Sequence, residues 1–437
     1  MGPLYYGNTA TVGVEERGDM QALAIVDEIR ATAEGISQAP LRAARIAPSL
    51  LRLSDLVQVR APLEDLGAPG ARVYEAAPHL LAPRRPLPPR PPRLLFAGVD
   101  SGSRGVETPL AGFAVAAVSA SLSAPLELFD WPPLHPGLEP PVEGPPFLRV
   151  LPNWVGWDPP LPRGATDRNP GGERYGPEYS MAQALDEARV CLENWALEVL
   201  AGMASRPPRG ARGLVVLVDG PLYLVPGALA SGGAPRVYRE AWSRLLDARL
   251  RAIRLLEGLG VPVLGVVKRV SRSRILSRAR GLEARVEACV GPGEHSDEMI
   301  VYRAYAACAR RIPGRIYRTP IVRVDQPVPG AVKLVEYLAV PPGRWQSGPE
   351  GVRIVRLEYT PATLEILRDW GLEPYQAYSL AGIASGSLYP LPILASDRRA
   401  RGIARAVARF LERELARRGV PLSYESALEE RLEGWGV

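Results

Sequence analysis

Two short apolar runs in this chain each lead into an aspartate. Leu94-Leu95-Phe96-Ala97-Gly98-Val99 meets Asp100-Ser101-Gly102-Ser103, and Leu214-Val215-Val216-Leu217-Val218 meets Asp219-Gly220-Pro221-Leu222. Each run reads as a buried β-strand that stops at a carboxylate and a turn residue. A charge at the end of an apolar strand is costly unless something pairs with it. Two such ends side by side form a negative cluster, for which a divalent cation is the usual remedy. The chemistry this pattern points to is metal-dependent catalysis. Taken singly, each aspartate is also an ordinary turn residue, because Asp-Ser-Gly and Asp-Gly are common turn sequences.

Other residues could join the pair. A predicted helix over 181–204 carries Glu187, Arg189, Glu193 and Glu198. Any of the three glutamates could reach a metal from an adjacent helix, and surface helices carry such glutamates without one. Lys268 ends a third apolar run, Val261 to Val267, and leads into Arg269-Val270-Ser271-Arg272-Ser273-Arg274. Cations interleaved with hydroxyls suit phosphate contacts, although a solvated basic loop has the same composition. Lys268 gains weight from scarcity. Of the 53 basic residues only Lys268 and Lys333 are lysine, so a position that keeps lysine needs its compact point charge. Tyr389-Pro390-Leu391-Pro392 stands before Ser396-Asp397, and Asp397 reads as the N-cap of a final helix.

The elements that must position these residues alternate between strand and helix. Residues 19–67 show apolar positions at helical spacing, among them Leu23, Ile25, Val26 and Ile29. Residues 82–93 form a stiff proline-rich connector. The strand ending at Asp100 pairs with a second strand over 112–120 as a hairpin. Residues 130–178, rich in Pro, Gly and Trp, show no period and read as an inserted surface excursion held by Trp131, Trp154 and Trp157. Helices are predicted over 181–204 and 238–259. Strands are predicted at 261–267, 320–325, 331–340 and 351–359. Thr360-Pro361 opens another helix, and an arginine-studded amphipathic helix covers 397–418. This interleaving predicts an α/β protein with a mixed sheet flanked by helices. The layout is an N-terminal helical region (1–81), a linker (82–93), one large domain (94–418) and a tail (419–437).

A chain of 437 residues can bury a sizeable core. No apolar run is long enough to span a bilayer, and the N-terminus lacks a signal-peptide layout. The three cysteines have neither metal spacing nor an even-numbered framework, so a cytoplasmic protein without disulfides is expected. The net charge of +6 favours an anionic partner. The preference for arginine suits phosphate, and GC-rich codon usage would produce it too. High Pro and Arg with little Cys and Met also fit a heat-loving source. No Gly-x-x-x-x-Gly-Lys loop occurs, which argues against a P-loop nucleotide-binding protein.

At these residues the chain resembles the NurA nuclease family of archaeal and bacterial DNA-repair proteins. Asp100-Ser101-Gly102-Ser103 is similar to its first aspartate motif, and Arg189 with Glu193 to its Arg-x-x-x-Glu helix. Val218-Asp219-Gly220-Pro221-Leu222 is similar to its second aspartate motif, and Gly265-Val266-Val267-Lys268 with Ser271-Arg272-Ser273 to its Gly-x-x-Lys-x-Ser segment. Tyr389-Pro390-Leu391-Pro392 through Asp397 resembles its C-terminal Tyr-Pro-x-Pro segment. The resemblance covers roughly 90–415. It implies an RNase H-like core that cleaves DNA with Mn2+ or Mg2+, as a 5′–3′ exonuclease and single-strand endonuclease. It also implies a homodimer, and a hexameric HerA-type ATPase as partner in resecting double-strand breaks toward 3′ overhangs.

Carried over, the metal ligands are Asp100, Glu193 and Asp219, with Tyr389 also in the site. Asp397 stands where the family has a histidine and adds a fourth carboxylate. It can bind a hard metal but cannot carry protons as imidazole does at neutral pH. Glu198 is the alternative to Glu193. Lys268 would neutralise charge on the phosphate, and Arg269, Ser271, Arg272 and Arg274 would hold the strand. The competing readings are a catalytically silent family member that serves the ATPase, and another RNase H-like nuclease such as a junction resolvase.

Overall fold

The computed structural model describes residues 24–35, 72–73, 82–83, 94–122, 127–153, 160–176, 179–204, 213–223, 235–279, 281–309, 317–325, 330–340, 352–381 and 390–423. A helix α1 spans 24–35. The strands follow as β1 (Arg72–Val73), β2 (Ala82–Pro83), β3 (Leu94–Glu107), β4 (Ala111–Leu122), β5 (Glu127–Trp131), β6 (Leu148–Pro152) and β7 (Ala165–Thr166). Next come α2 (Met181–Ala204), β8 (Gly213–Asp219), α3 (Arg236–Gly258), β9 (Val263–Val267), α4 (Glu283–Val290) and α5 (Asp297–Ala309). The chain continues through β10 (Tyr317–Arg318), β11 (Val322–Asp325), β12 (Val332–Val340), β13 (Arg353–Tyr359), α6 (Pro361–Asp369), α7 (Pro374–Leu380) and α8 (Leu391–Arg417). No helix among the described residues is long and apolar enough to cross a membrane.

All the strands belong to one mixed sheet of thirteen, whose main path runs β1-β11-β12-β13-β9-β8-β3-β4-β6-β7. β3 and β4 form the predicted hairpin, β8 lies parallel to β3, and β9 lies parallel to β8. β13 then runs antiparallel to β9 and begins an antiparallel wing with β12 and β11. The apolar strands β4 and β9 are buried almost throughout and β8 along its middle, as strands covered on both faces must be. Side chains alternate along β3, so Gly98, Asp100 and Gly102 share one face and Ser101, Ser103 and Gly105 the other. A Cβ on Gly98 would lie 2.3 Å from the Pro392 carbonyl carbon, and one on Gly102 would lie 2.7 Å from that of Ala400. The backbone of α8 therefore rests directly on this face. A Cβ on Gly105 would meet Met181 of α2, so α2 covers the other.

Four expectations need correction. β3 does not stop at Asp100, because its antiparallel pairing with β4 continues unbroken from Ala97–Leu122 to Glu107–Gly112. Only its parallel neighbour β8 ends there. The segment 130–178 is not a surface excursion, since β6 pairs with β4 and β7 with β6. β6 escaped notice because buried Arg149 interrupts a five-residue strand between prolines. Trp131 is buried as predicted, its ring centroid 5.7 Å from that of Trp195, while Trp154 and Trp157 lie outside the described residues. α8 begins at Leu391, with prolines in its first turn where free N–H groups make them tolerable, so Asp397 is a helix-interior residue rather than an N-cap. In the proline-rich connector, Ala82–Pro83 pairs with β10.

Thr360 caps α6 as expected, accepting from the Thr363 N–H. The structure bears out α2, α3, β8, β9 and β11–β13 to within a few residues. α4, α5 and α7 were not foreseen. Gly98→Ala will overpack the β3–α8 contact and destabilise the fold by about 1–3 kcal/mol, measurable by chemical denaturation.

Candidate metal centre

The parallel register of β3 and β8 sets Val99 beside Val218. The next residues, Asp100 and Asp219, thus emerge side by side where β8 ends. Asp100 faces α8, and Asp397 lies on that helix between the two close-packed points at Pro392 and Ala400. One carboxylate oxygen from each of Asp100, Asp219 and Asp397 falls within 4.8 Å of the others. Asp100 is buried, whereas Asp219 and Asp397 are half-buried.

Burial pushes the Asp100 carboxyl well above the ordinary aspartate range. The Asp219 charge, a hydrogen bond with Asp397 and the Glu193 charge act in the same direction, and Arg189 opposes them. Asp219 is also raised, chiefly by burial. Lys268, whose Nζ lies 2.5 Å from Asp219 Oδ2, pulls it down. Three carboxylates thus crowd one place, where Lys268 lies against Asp219 and Arg401 lies 2.7 Å from Asp397 but no cation faces Asp100 as closely. An all-oxygen carboxylate set of this kind suits a hard divalent cation such as Mg2+ or Mn2+.

The surroundings hold the trio in place. The Ser101 N–H donates to Asp100 Oδ1 at 2.7 Å. Ser396 Oγ donates to the Gly98 carbonyl at 2.8 Å, tying α8 to β3 next to Asp100. After Asp219 the chain turns through Gly220, whose φ of 106° suits glycine. The Leu222 N–H then donates to Glu358 Oε2 at 2.9 Å. Glu358 is fully buried with Lys333, whose Nζ lies 3.0 Å away, and Arg356 Nε lies 2.8 Å from its other oxygen. Gly265 makes this possible, because a Cβ there would lie 2.8 Å from the Leu222 nitrogen. A buried ion pair on the antiparallel wing therefore fixes the turn that presents Asp219.

The remaining predicted residues divide. Glu193 is buried on the α2 side of β3, accepting from Ser101 Oγ at 2.5 Å and paired with Arg249 Nη2 at 2.5 Å. It is near enough to act on Asp100 but does not belong to the trio. Glu198 is exposed. Glu187 is buried in a separate cluster, accepting from the Tyr175 hydroxyl at 3.2 Å, and burial lifts its carboxyl to about 8. Arg269, Ser271 and Arg272 are exposed on the loop after Lys268. Arg274 is exposed too but pairs with Glu294 at 2.7 Å.

Ser273 is not available to a phosphate. It is buried and donates to Asp297, which also accepts from the N–H groups of Ile275 and Leu276 at 2.9 and 2.8 Å. Tyr389 lies outside the described residues. Sequence reasoning missed Arg249, Glu358, Asp297 and Lys333. Only Lys333 carried a signal, the same scarcity that singled out Lys268.

A model of the NurA domain matches residues 94–401. The chain belongs to the NurA family. Among solved structures, the NurA nuclease from Sulfolobus solfataricus is 12% identical with a TM-score of 0.38, over 74% of this chain and 84% of that one. A NurA structure bound to dAMP and manganese is 8% identical with a TM-score of 0.35, over 72% and 86%. Another, with manganese, is 10% identical with a TM-score of 0.31, over 74% and 89%. No curated protein matches this chain.

Glu358→Gln will leave Lys333 buried and poorly compensated, at a cost of about 3–5 kcal/mol in a denaturant titration. Glu358→Leu combined with Lys333→Met will recover much of that stability. The Leu222 N–H will still lack its acceptor, so divalent-cation affinity will stay weakened in a calorimetric titration. Glu187 supplies a pH signature. Its folded pKa of about 8 lies above the ordinary 4.5, so the folded state holds a proton that the unfolded chain has released. Stability falls as pH rises across that interval, and Glu187→Gln will flatten the decline between pH 5 and pH 8.

Proposed function

We propose that the chain is a divalent-metal-dependent deoxyribonuclease. The observation that carries this reading is the meeting of Asp100, Asp219 and Asp397 within 4.8 Å in a chain whose family is one of nucleases. The ion we assign is Mn2+, present in two of the NurA structures named above, with Mg2+ as its substitute. The same reading takes in the RNase H-like core. It is supported by the order β6-β4-β3-β8-β9, three antiparallel strands followed by two parallel ones, with α2 and α8 on opposite faces. DNA ends and single strands as substrate, 5′–3′ polarity, a homodimer and a HerA-type hexamer as partner in end resection belong to the same proposal.

Bound ions would supply a more acidic water and neutralise charge at the leaving oxygen. The chain's own residues divide the remaining work. Asp100 is central, with Asp219 on the neighbouring strand and Asp397 on the helix above, and these three would hold the cation. Lys268 neutralises Asp219 while no cation is bound. Lys268 stands at the edge of the trio, where its charge would face a substrate phosphate. Glu193, held by Arg249 and Ser101 behind β3, positions Ser101, the residue whose N–H supports Asp100. The exposed Arg269, Ser271 and Arg272 stand beside this lysine to contact the strand. That Asp397 joins the trio favours an active enzyme over a silent family member.

The purified protein will cut linear DNA with manganese and not in EDTA. Asp100→Ala and Asp219→Ala will each lower the rate on the order of 100-fold or more, the scale of losing a major electrostatic contact in a transition state. Manganese will also raise the melting temperature of the wild type by mass action, and Asp100→Ala will abolish that rise. Equal cutting by wild type and both variants would exclude the assignment. Cutting that appears only in Asp397→His would show that the missing imidazole silences the enzyme.

A further inference from the structure

The outward side of α8 differs from the other helix faces among the described residues. Its exposed residues include Arg398, Arg401, Arg405, Arg409, Arg413 and Arg417, and none is acidic. Of the acids on this helix, Asp397 is half-buried in the trio, Glu412 is buried, and Glu414 is buried but reaches Arg417 and Arg418 at 2.6 Å each, so the last arginine of the row is already paired. From Arg401 to Arg417 the arginines recur every four residues, and the series begins four residues after Asp397. They form one ridge about 24 Å long at 1.5 Å per residue, winding round the helix axis by about 40° at each step. Arg401 reaches back to Asp397 at 2.7 Å, so the row starts at the metal centre itself.

Like charges four residues apart disfavour an isolated helix. Codon bias does not account for them here, because the equally arginine-rich α3 interrupts its exposed cations with acids. There Arg236 pairs with Glu240 at 2.6 Å, and exposed Asp247 stands between Arg244 and Arg251. Beside the α8 row lies an apolar cleft of about 240 Å³, lined by Gly402, Ile403 and Ala406 of the helix with Leu134, His135 and Arg399. Arg399 is committed to Glu127 and Asp130, which leaves the small, uncharged floor at Gly402 and Ala406.

We propose that this face is the track on which a single nucleic-acid strand is led to the carboxylate trio. Its phosphates lie along the arginine row, and one unpaired base lies in the cleft. A single row of cations fits one backbone. A base can enter the cleft only when it is out of a duplex. The inference rests on reading the trio as the centre of a DNA nuclease and adds which strand approaches it and from where.

The test is the binding of a fluorescent single-stranded oligonucleotide in EDTA, where no cutting occurs. Arg405→Gln with Arg413→Gln is compared with Arg244→Gln and Arg251→Gln on α3, which removes the same charge elsewhere. The α8 pair will bind at least 10-fold more weakly at low salt. Its plot of log affinity against log salt will be shallower by about 1.4, the value for two lost phosphate contacts on a single strand. The α3 pair will match the wild type. Equal losses in both pairs, an unchanged salt slope in the α8 pair, or a loss confined to duplex DNA would overturn the proposal. If the α8 row proves necessary for binding while the wild type cuts no DNA with manganese, the track stands and the nuclease reading falls.

Discussion

The arrangement of this protein depends on how closely α8 lies on β3. Backbone meets backbone at Gly98 and again at Gly102, where side chains as small as alanine's would collide with Pro392 and Ala400. Asp100 stands between the two glycines on the same face. The helix must therefore pass over it, and Asp397 is the residue that it brings there. The third carboxylate arrives by a separate route, through the parallel register that ends β8 at the level of Asp100. A strand, its parallel neighbour and a helix from late in the sequence thus converge at one point, with the acids all on regular elements. Sites built on such rigid elements hold their geometry better than sites on loops.

Charge is distributed with the same economy. Three buried carboxylates around the centre are matched individually: Glu193 by Arg249, Glu358 by Lys333 and Asp130 by Arg399. Such pairs contribute little net stability but fix geometry, because breaking one strands a charge in a dry interior. At the trio the matching fails. Lys268 serves Asp219 and Arg401 reaches Asp397 from the surface, while Asp100 has the Ser101 N–H and the two other acids. What sets the trio apart is that three carboxylates meet at one point, whereas single buried acids such as Glu187 and Asp297 are each held by hydrogen bonds.

Much of the framework was legible in the sequence. Long periodic segments such as α2 and the apolar runs of β8 and β9 follow from burial pattern alone, because side-chain periodicity is set locally. The two aspartates could be picked out because they interrupt apolar runs, and Lys268 because lysine is so rare. The glycine of Gly265-Val266-Val267-Lys268 was legible as part of a motif, but its purpose was not. It leaves room for the Leu222 N–H to reach Glu358, a contact between residues more than a hundred positions apart. β6 and the start of α8 were misread for a related reason. A buried arginine and a run of prolines look like loop until the strands and the sheet that accommodate them are in place.

By itself, the sequence determined which segments become strands and helices, and which acids and bases are unusual enough to matter. Only the tertiary structure decided that Asp397 rather than Glu193 completes the trio. Glu193 and Asp397 are both acids on long helices, and nothing in their spacing tells them apart. What separates them is which face of β3 each helix covers, and that is fixed by close packing at glycines far away in the chain.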